Sequence, residues 1–505
     1  MPRGPDLPLT LEAGGHAPLF VRISQAVARD IARGRLRPGH ALPGSRTLAA
    51  TLGVHRSTVI AAYAELAAQG WVTTRPAGAT IVAAASPDER PRRGPPGATK
   101  RAGLARAPGF RLDAAPTVPP PPPAPHLARD GLYLWGGVPD LRLIPVDLLA
   151  RAYRRAAKRS GGRLFGYSDD SFGHPRLRAA IARLVTVRRG IPAEPDAVLI
   201  TRGSQMALDV TARALIRPGD VVAVEALCYP NAVSVFRRAG AKIVPLPVDD
   251  RGIDVAALVA LSRRETVRLV YVTPHHQYPT TVTLSPTRRL ALLDQARRLG
   301  IAILEDDYDQ EFHYDGRPVL PLASNDPDGN VIYVGTLAKI LAPGLRLAFV
   351  VAPPAVIARL AAERALIDRQ GDAVLECAIA ELLEDGDIER HARRTRRIYH
   401  ARRDAFCAGV ERELGGAISF RRPPGGMALW AKAAPDVDVD LWRRRANDRG
   451  VHFMIGRQFT LDGSSFPAVR FGFALLDERE SVTAIRRLAA SLPNRRTRRR
   501  LERIS

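Results

Sequence analysis

The sequence has few cysteines and lacks a long apolar run. Only three cysteines occur among its 505 residues, Cys228, Cys377 and Cys407, and they form neither a paired framework nor a Cys-x-x-Cys motif. This usage is typical of a reducing compartment. No stretch reaches 18 uninterrupted apolar residues, and the first residues lack the apolar core of a signal peptide. We therefore expect a cytoplasmic protein that does not enter a membrane.

Lysine is also scarce. Five of the 75 basic residues are lysine and the others are arginine, and the formal net charge is +24. A charge of this size and sign suggests a polyanionic partner such as a nucleic acid. Because the excess consists almost entirely of arginine, we attribute much of it to composition and give it little weight.

Residues 16–84 have the pattern of three helices followed by a hairpin. Apolar residues recur at helical spacing in three segments: Phe20, Ile23, Val27 and Ile31; Leu48, Ala49 and Leu52; and Val59, Ala62, Tyr63 and Leu66. Ser45 is placed to cap the second helix, and residues 71–74 and 80–83 have the composition of two short strands. The pattern predicts an α+β helix-turn-helix domain with a β-hairpin wing.

The third helix of this domain is the predicted recognition helix. Arg56, Ser57 and Thr58 fall in its first turn, which normally faces the base edges of DNA. Arg46 in the second helix is placed to bind a phosphate, whereas Arg56 can pair with guanine through two hydrogen bonds. The alternative is a small helical domain with exposed arginines and no DNA partner.

A proline-rich segment separates this domain from the rest of the chain. Twelve prolines lie between residues 86 and 125, five of them consecutive. Such a segment buries little apolar surface, so we predict an extended linker over residues 85–130. At the other end of the chain, residues 491–505 form a basic tail.

Residues 131–490 alternate apolar runs with helical segments, which predicts an α/β domain with a largely parallel sheet. The strand-like runs lie at 197–201, 221–225, 242–246, 268–273, 301–306, 331–336 and 347–352. Ligands of such sheets bind at the carboxyl ends of the strands. Residues from about 375 to 490 predict a smaller α+β subdomain.

Polar residues follow several of these strands and match the needs of an aldehyde cofactor. Lys339 follows a strand and a Gly-Thr turn, where its amine can form a Schiff base. Asp306 can face a pyridinium nitrogen, and Tyr308 can reach a ring hydroxyl. Individually, a lysine after a strand is usually solvated, and the acidic run at 305–311 also fits a surface loop or a divalent-metal cluster.

A phosphate site is predicted beside these residues. The segment at 201–210 runs from a strand end into a helix, whose first residues include Ser204 and Gln205. Thr336 and Arg346 can add a hydroxyl and a charged fork. A Gly-Ser-Gln helix start is common without any ligand, so these residues support a phosphate site only through their combination with Lys339 and Asp306.

The sequence from PLFVRIS (18–24) through LPGSRTLA (42–49) to LGVHRSTV (52–59) resembles the GntR family of winged helix-turn-helix repressors. Residues 131–490 resemble fold-type I aminotransferases as they occur in the MocR/GabR family. The shared motifs include GYSDDSFGHPRLR (166–178), TPHHQYPT (273–280), EDDYDQEFHY (305–314) and GTLAKILAPGLRLAF (335–349). This family joins a GntR-type domain through a long linker to a pyridoxal-phosphate-binding domain.

The resemblance implies a role for each matching residue. Lys339 is the lysine of the internal aldimine, Asp306 the partner of the pyridinium nitrogen, and Tyr308 the partner of the ring hydroxyl. Tyr229 stacks on the ring and Arg470 binds the carboxylate of an effector. By the same resemblance, Tyr167 reaches a phosphate in the neighbouring subunit, which implies a homodimer.

The chain departs from the family pattern at a few positions. His55 replaces a helix-capping serine, residues 77–80 replace the usual Gly-x-Gly-Thr of the wing, and Leu337-Ala338 replace Phe-Ser before the lysine. Tyr278 stands where the enzymes have asparagine. We expect the missing hydroxyl at position 338 to weaken phosphate binding without removing any residue that the Schiff base requires.

The resemblance implies a transcriptional regulator that depends on pyridoxal phosphate. Its partners are double-stranded DNA and an amine or amino-acid effector, or the cofactor itself, and no metal ion is expected. Transamination is not needed for this function. Two alternatives remain open: a working aminotransferase with a DNA-binding appendage, and a regulator without cofactor that uses its large domain only to dimerise.

Overall fold

The computed structural model describes residues 18–74, 79–83 and 131–493, together with Leu9 and Arg111. The tip of the wing, the proline-rich segment apart from Arg111, and the basic tail beyond residue 493 lie outside the described residues. The chain divides into two compact units, Met1–Thr117 and Val118–Ser505, and each is described by itself.

The first unit has the predicted elements in the predicted order. Its described residues form helices α1 (Leu19–Ala32), α2 (Ser45–Leu52) and α3 (Arg56–Ala68) and strands β1 (Val72–Thr74) and β2 (Thr80–Val82). The two strands pair antiparallel. The apolar faces of the helices meet in one core, to which Val27, Leu48, Val59 and Leu66 contribute buried side chains.

The predicted cap of α2 is wrong. Gly44 is the residue that precedes the helix, and Ser45 is the first helical residue and makes no capping hydrogen bond. The Ser45 hydroxyl instead accepts a hydrogen bond from Nε of Arg56 at 3.2 Å. The side chain that was expected to cap α2 therefore links α2 to α3.

The second unit is built on a seven-stranded sheet, which confirms the predicted α/β class. Its strands are β4 (Val198–Thr201), β5 (Val221–Glu225), β6 (Lys242–Leu246), β9 (Val267–Val272), β10 (Ala302–Asp307), β11 (Val331–Thr336) and β12 (Ala348–Val351). They lie side by side in the order β4-β12-β11-β10-β9-β5-β6, and only β12 is antiparallel to the others. All seven lie within one residue of the predicted runs at either end.

Helices cover both faces of this sheet, as its apolar strands require. Leu269 and Tyr271 of β9 belong to a core on one face, and Val270 and Val272 belong to a core on the other. The helices are α4 (Val146–Arg159), α5 (Pro175–Arg189), α6 (Ser204–Leu215), α7 (Pro230–Arg238), α8 (Val255–Ser262), α9 (Pro286–Leu299), α10 (Pro354–Ile367) and α11 (Ala373–Glu384). A small hairpin of β7 (Val248–Asp249) and β8 (Gly252–Ile253) precedes α8.

A smaller subdomain follows, as the sequence predicts. Its elements are α12 (Asp387–Leu414), β13 (Ile418–Phe420), β14 (Ala428–Ala433), α13 (Val439–Asn447), β15 (Val451–His452), β16 (Met454–Ile455), β17 (Ala468–Gly472) and α14 (Glu478–Ser491). Four of these strands form an antiparallel sheet in the order β13-β14-β17-β16. Strand β3 (Leu132–Tyr133), far away in sequence, pairs with β15 and so brings the start of the second unit to this subdomain. Within the described part of the chain, no helix is both long and apolar enough to span a membrane.

Candidate functional site

The topology brings the predicted cofactor residues to one edge of the seven-stranded sheet. Ser204 begins α6 directly after β4, Asp306 lies near the end of β10, and Lys339 follows β11. Arg346 precedes β12, and because β12 is antiparallel, its start lies at the same edge where the parallel strands end. The edge thus combines an amine, a carboxylate, a guanidinium and a helix N-terminus.

Lys339 lies in a setting that lowers the pKa of its amine. Burial lowers the pKa of Lys339 to about 8, while nearby Asp309 and Asp306 oppose this change. A lysine with a lowered pKa is partly neutral near neutral pH, and the neutral amine is the nucleophilic form. A Cβ atom at Gly137 would lie 3.9 Å from the Lys339 Nζ, so the backbone at residue 137 passes close to the amine.

Asp306 is a buried carboxyl group with one fixed partner. The hydroxyl of Tyr271 on the neighbouring strand β9 donates to its Oδ2 at 2.9 Å. Burial raises the pKa of Asp306 to about 6, because a charged carboxylate is poorly solvated there. A cation facing this group would favour its ionised form, which is what a protonated ring nitrogen requires.

The neighbouring acids of this run point to other partners. Glu305 accepts backbone hydrogen bonds from Leu322 and Ala323 at 2.8 and 3.0 Å. Asp307 accepts a hydrogen bond from the Tyr333 hydroxyl at 2.7 Å. The side chains of Glu305, Asp306 and Asp307 are all buried, and each has its own hydrogen-bond partners. The run is therefore not the exposed acidic loop that was one alternative.

Tyr278 is the centre of an aromatic group at the same edge. Its ring packs edge-on against Tyr229, Tyr308 and Phe459, with centroid distances of 5.5, 6.0 and 5.5 Å. The Tyr308 hydroxyl donates to the backbone carbonyl of His276 at 2.9 Å. These contacts hold Tyr229 and Tyr308 close to the loop after β9, to which Tyr278 and His276 belong.

Arg470 approaches Tyr278 from the smaller subdomain. Its guanidinium carbon lies 4.4 Å from the centroid of the Tyr278 ring, and its Nε donates to the Pro279 carbonyl at 3.2 Å. The side chain is 1% exposed, and its Nη1 has no hydrogen-bond partner among the described residues. A Cβ atom at Gly136 would overlap the guanidinium, so only glycine leaves room for it there. An unpaired buried cation of this kind is suited to an anionic ligand.

The predicted phosphate residues are only partly engaged with the protein. Gly203 precedes α6 with a φ of 79°, and a Cβ there would overlap the Arg346 guanidinium. The Gln205 Oε1 is buried and has no hydrogen-bond partner in the described residues. In contrast, the Thr336 hydroxyl is engaged within its own turn, where it donates to the Leu347 carbonyl at 3.3 Å and accepts from the Ala338 amide at 3.1 Å.

Tyr167 does not join this group within one chain. It is 86% exposed, and the Arg369 guanidinium lies 4.6 Å from its ring centroid. An aromatic side chain of this exposure is available to a second molecule. Its position is compatible with the partner-subunit role that the family resemblance implies.

The predicted DNA-binding residues lie at the start of α3 and on α2. Arg46, Arg56 and Ser57 are exposed, and Thr58 is half-buried. His55 replaces the expected serine cap: its Nδ1 accepts from the Ser57 amide at 3.4 Å and lies 2.7 Å from the Ser57 hydroxyl. The imidazole thus caps the helix whose first turn is predicted to face DNA.

Sequence reasoning missed a buried histidine cluster beside the loop after β9. His276 contacts Asp309 through its Nδ1 at 2.7 Å, and His275 and His313 lie next to it. Burial lowers the pKa of His276 to about 3 and raises that of Asp309 to about 8. The sequence signal was limited to a His-His pair and a single histidine 37 residues after its second member.

Comparison with known families agrees with the two-part architecture. Residues 19–82 match the bacterial regulatory proteins of the gntR family. Residues 143–488 match aminotransferase class I and II. The second match alone spans more than half of the chain.

Two curated relatives match the chain over most of its length. The chain is 33% identical to the probable rhizopine catabolism regulatory protein MocR of Rhizobium meliloti over 95% of each chain. It is 35% identical to the HTH-type transcriptional regulator TauR of Rhodobacter capsulatus over 89% of this chain and 91% of TauR. Among solved structures, the α-aminoadipate aminotransferase LysN of Thermus thermophilus, complexed with N-(5'-phosphopyridoxyl)-L-leucine, matches with a TM-score of 0.67 and 30% identity over 72% of this chain and 92% of LysN.

Proposed function

The chain belongs to the MocR/GabR family of HTH-type transcriptional regulators with an aminotransferase class I and II domain, and we propose that a small amine bound by this domain controls its affinity for DNA. The observation that supports this control most directly is that one DNA-binding chain contains both a lysine of lowered pKa, Lys339, and a buried arginine with an unpaired nitrogen, Arg470. Lys339 suits an aldehyde cofactor and Arg470 suits a carboxylate. Neither feature is needed for contact with DNA.

Pyridoxal phosphate fits the carboxyl edge of the sheet. Asp306 would keep the ring nitrogen protonated, Tyr308 would face the ring hydroxyl, and Tyr229 would lie against the ring. The Lys339 amine is the group that the cofactor aldehyde requires. When bound, pyridoxal phosphate supplies an aldehyde that condenses reversibly with amines and a conjugated ring that absorbs near-visible light.

The phosphate would lie at the N-terminus of α6. Ser204 and Gln205 stand in the first turn, where free amide groups and the helix dipole favour an anion. Arg346 adds a positive charge next to Gly203. The Thr336 hydroxyl, in the turn before Lys339, would join the site by exchanging the Leu347 carbonyl for a phosphate oxygen. Tyr167 of a second copy would contact the same phosphate, so the proposed functional unit is a homodimer.

The proposed effector carries both an amine and a carboxylate. Its carboxylate would pair with Arg470, whose Nη1 is free to donate a hydrogen bond. Its amine would then compete with Lys339 for the cofactor. Binding of this kind changes the occupancy of Lys339 without requiring a complete transamination, and pyridoxal phosphate itself would act on the same residues.

A working aminotransferase is the second candidate, because Lys339, Asp306 and Arg470 are all present. Tyr278 argues against it, since this ring packs onto Arg470 at the position where the related enzymes have asparagine. The two functions differ in a simple assay. Multiple turnovers of keto acid from an amino acid would support the enzyme, whereas a change in DNA affinity without turnover would support the regulator.

Replacing the two DNA-facing arginines should have different effects. Arg56→Ala should relax the sequence preference, because a lost pair of hydrogen bonds to a base reduces discrimination by about 1 to 3 kcal/mol. Arg46→Ala should weaken binding to all sequences about equally, because it removes a phosphate contact. Fluorescence anisotropy with cognate and scrambled duplexes measures both effects. The same loss on both duplexes for both variants would contradict the assignment of α3 as the recognition helix.

Asp306→Asn should shift the near-visible band of the bound cofactor to shorter wavelength or weaken it. The amide cannot balance a positive charge on the ring nitrogen as a carboxylate does. Asp307→Asn is the matched control, because the neighbouring carboxyl bonds to Tyr333. A shift in the control together with an unchanged spectrum in Asp306→Asn would move the role to Asp307.

A further inference from the structure

A cluster of three histidines lies beside the proposed cofactor pocket. One possible ligand atom from each of His275, His276 and His313 falls within 4.8 Å of the other two. The ring centroids of His275 and His276 are 4.3 Å apart. The centroid of His313 lies 5.8 Å from that of His275 and 6.1 Å from that of His276. In the described part of the chain, this is the one group of three such side chains whose ligand atoms lie close enough to share a metal ion.

Four of the six ring nitrogens of this cluster have no hydrogen-bond partner in the described residues. Both ring nitrogens of His275, Nε2 of His276 and Nδ1 of His313 are buried without a hydrogen-bond partner in the described residues. His275 is 2% exposed and His276 is 1% exposed. Buried polar atoms without a partner destabilise a fold, and most of those in native proteins have one. The cluster therefore requires an additional partner.

Asp309 occupies one nitrogen of His276 and leaves the other available to a ligand. The distance of 2.7 Å between its Oδ1 and Nδ1 of His276 is that of a hydrogen bond. When Nδ1–H donates to the carboxylate, the lone pair is on Nε2. Metal-bound histidines commonly have this carboxylate partner on their other nitrogen, and a cation at Nε2 favours the ionised carboxylate.

Gly425 packs closely against this nitrogen. A Cβ atom at residue 425 would overlap Nε2 of His276, so a larger residue there would displace the ring. Three observations therefore support an additional ligand: three clustered imidazoles, unpaired nitrogens and an oriented ring.

We propose that His275, His276 and His313 bind one divalent transition-metal ion, with Asp309 as the positioning residue for His276. Imidazole ligands suit Zn²⁺, Ni²⁺ or Cu²⁺, whereas Mg²⁺ and Ca²⁺ prefer oxygen. Nitrogens bound to one zinc ion stand about 3.4 Å apart, so the ligand atoms, which lie within 4.8 Å of one another, would move closer by up to about 1.4 Å when the ion binds. Three protein ligands leave the fourth position to water or a small anion.

The site adjoins the pocket that holds Tyr308. The backbone carbonyl of His276 accepts the Tyr308 hydroxyl hydrogen bond, while the ring of the same residue would bind the ion. The metal site is independent of the proposed regulatory function, because its ligands include none of the residues assigned to the cofactor. A failure of one proposal therefore leaves the other intact.

Zinc retention by the full-length protein tests the site. The protein is prepared without a histidine tag, stripped with a chelator, incubated with Zn²⁺, passed through gel filtration and analysed for metal. We expect one zinc per chain, unaffected by excess Mg²⁺. His275→Gln and His313→Gln should retain none, Asp309→Asn should bind about 10- to 100-fold more weakly, and His452→Gln, outside the cluster, should match the wild type.

Wild-type protein without retained zinc would overturn the proposal, as would ligand variants that retain as much zinc as the wild type. Circular dichroism shows whether each variant is folded. If the variants do not fold, titration of wild-type protein with Co²⁺ decides: intense visible absorption indicates tetrahedral nitrogen coordination and supports the site. The weak absorption of hydrated Co²⁺ alone would overturn it.

Discussion

Lys339→Ala protein should be colourless under conditions in which the wild type is yellow. The near-visible band arises when the cofactor is attached to an amine, and Lys339, which follows β11, supplies the amine at this edge of the sheet. Alanine removes the nucleophile and leaves the backbone of the turn intact. We expect complete loss of the band in an absorbance spectrum recorded after excess pyridoxal phosphate has been removed by gel filtration.

Lys432→Ala is the matched control for this experiment. Lys432 is an exposed lysine on β14, so its removal should leave the band unchanged. Circular dichroism of both variants separates a lost cofactor from a lost fold. Wild-type protein that stays colourless after addition of pyridoxal phosphate, or Lys339→Ala protein that keeps the band, would contradict the cofactor assignment.

The strands of the large unit could be predicted from the sequence because their composition is nearly continuous in apolar residues. Parallel strands covered on both faces need side chains of this kind in every position, and turns and helices separate them clearly. For the same reason, residues after the strands, such as Lys339 and Ser204, could be placed at one edge before the fold was seen. The predicted runs and the observed strands agree to within one residue.

The partners of the site residues could not be predicted in this way. Tyr271 meets Asp306 because β9 and β10 are neighbours in register, and 35 residues of sequence separate the two side chains. Similarly, His313 meets His275 only through the folded loops. Contacts of this range depend on strand order and register, which local periodicity does not encode.

Local signals also do not show which of two competing partners a polar group takes. Ser45 has the residue type and position of a helix cap, but Arg56 from the next helix occupies its hydroxyl. Thr336 has a hydroxyl suited to phosphate, and its own turn uses that hydroxyl. In both cases the sequence shows the hydroxyl group, but it does not show which other group in the fold forms a hydrogen bond with it.

Removing the cofactor should change the affinity for DNA by a factor of about 5 to 150, which corresponds to a coupling of about 1 to 3 kcal/mol. A ligand shifts a regulator only if it binds two arrangements of the protein with different affinity. Lys339 and Arg470 provide such a difference, because an effector that engages both must displace the lysine from the cofactor while its carboxylate binds the arginine. An amine without a carboxylate should therefore have a smaller effect than the corresponding amino acid.

The most direct test of this account is to titrate the protein into labelled DNA from upstream of its own gene and to measure binding by fluorescence anisotropy. The titration is carried out with wild-type protein and with Lys339→Ala, each with and without pyridoxal phosphate and candidate amino acids, and with Lys432→Ala as the control. The account predicts that the wild-type curve shifts by the factor given above and that the Lys339→Ala curve does not shift. Superimposable wild-type curves in every condition would contradict it and would leave the large unit as a dimerisation domain.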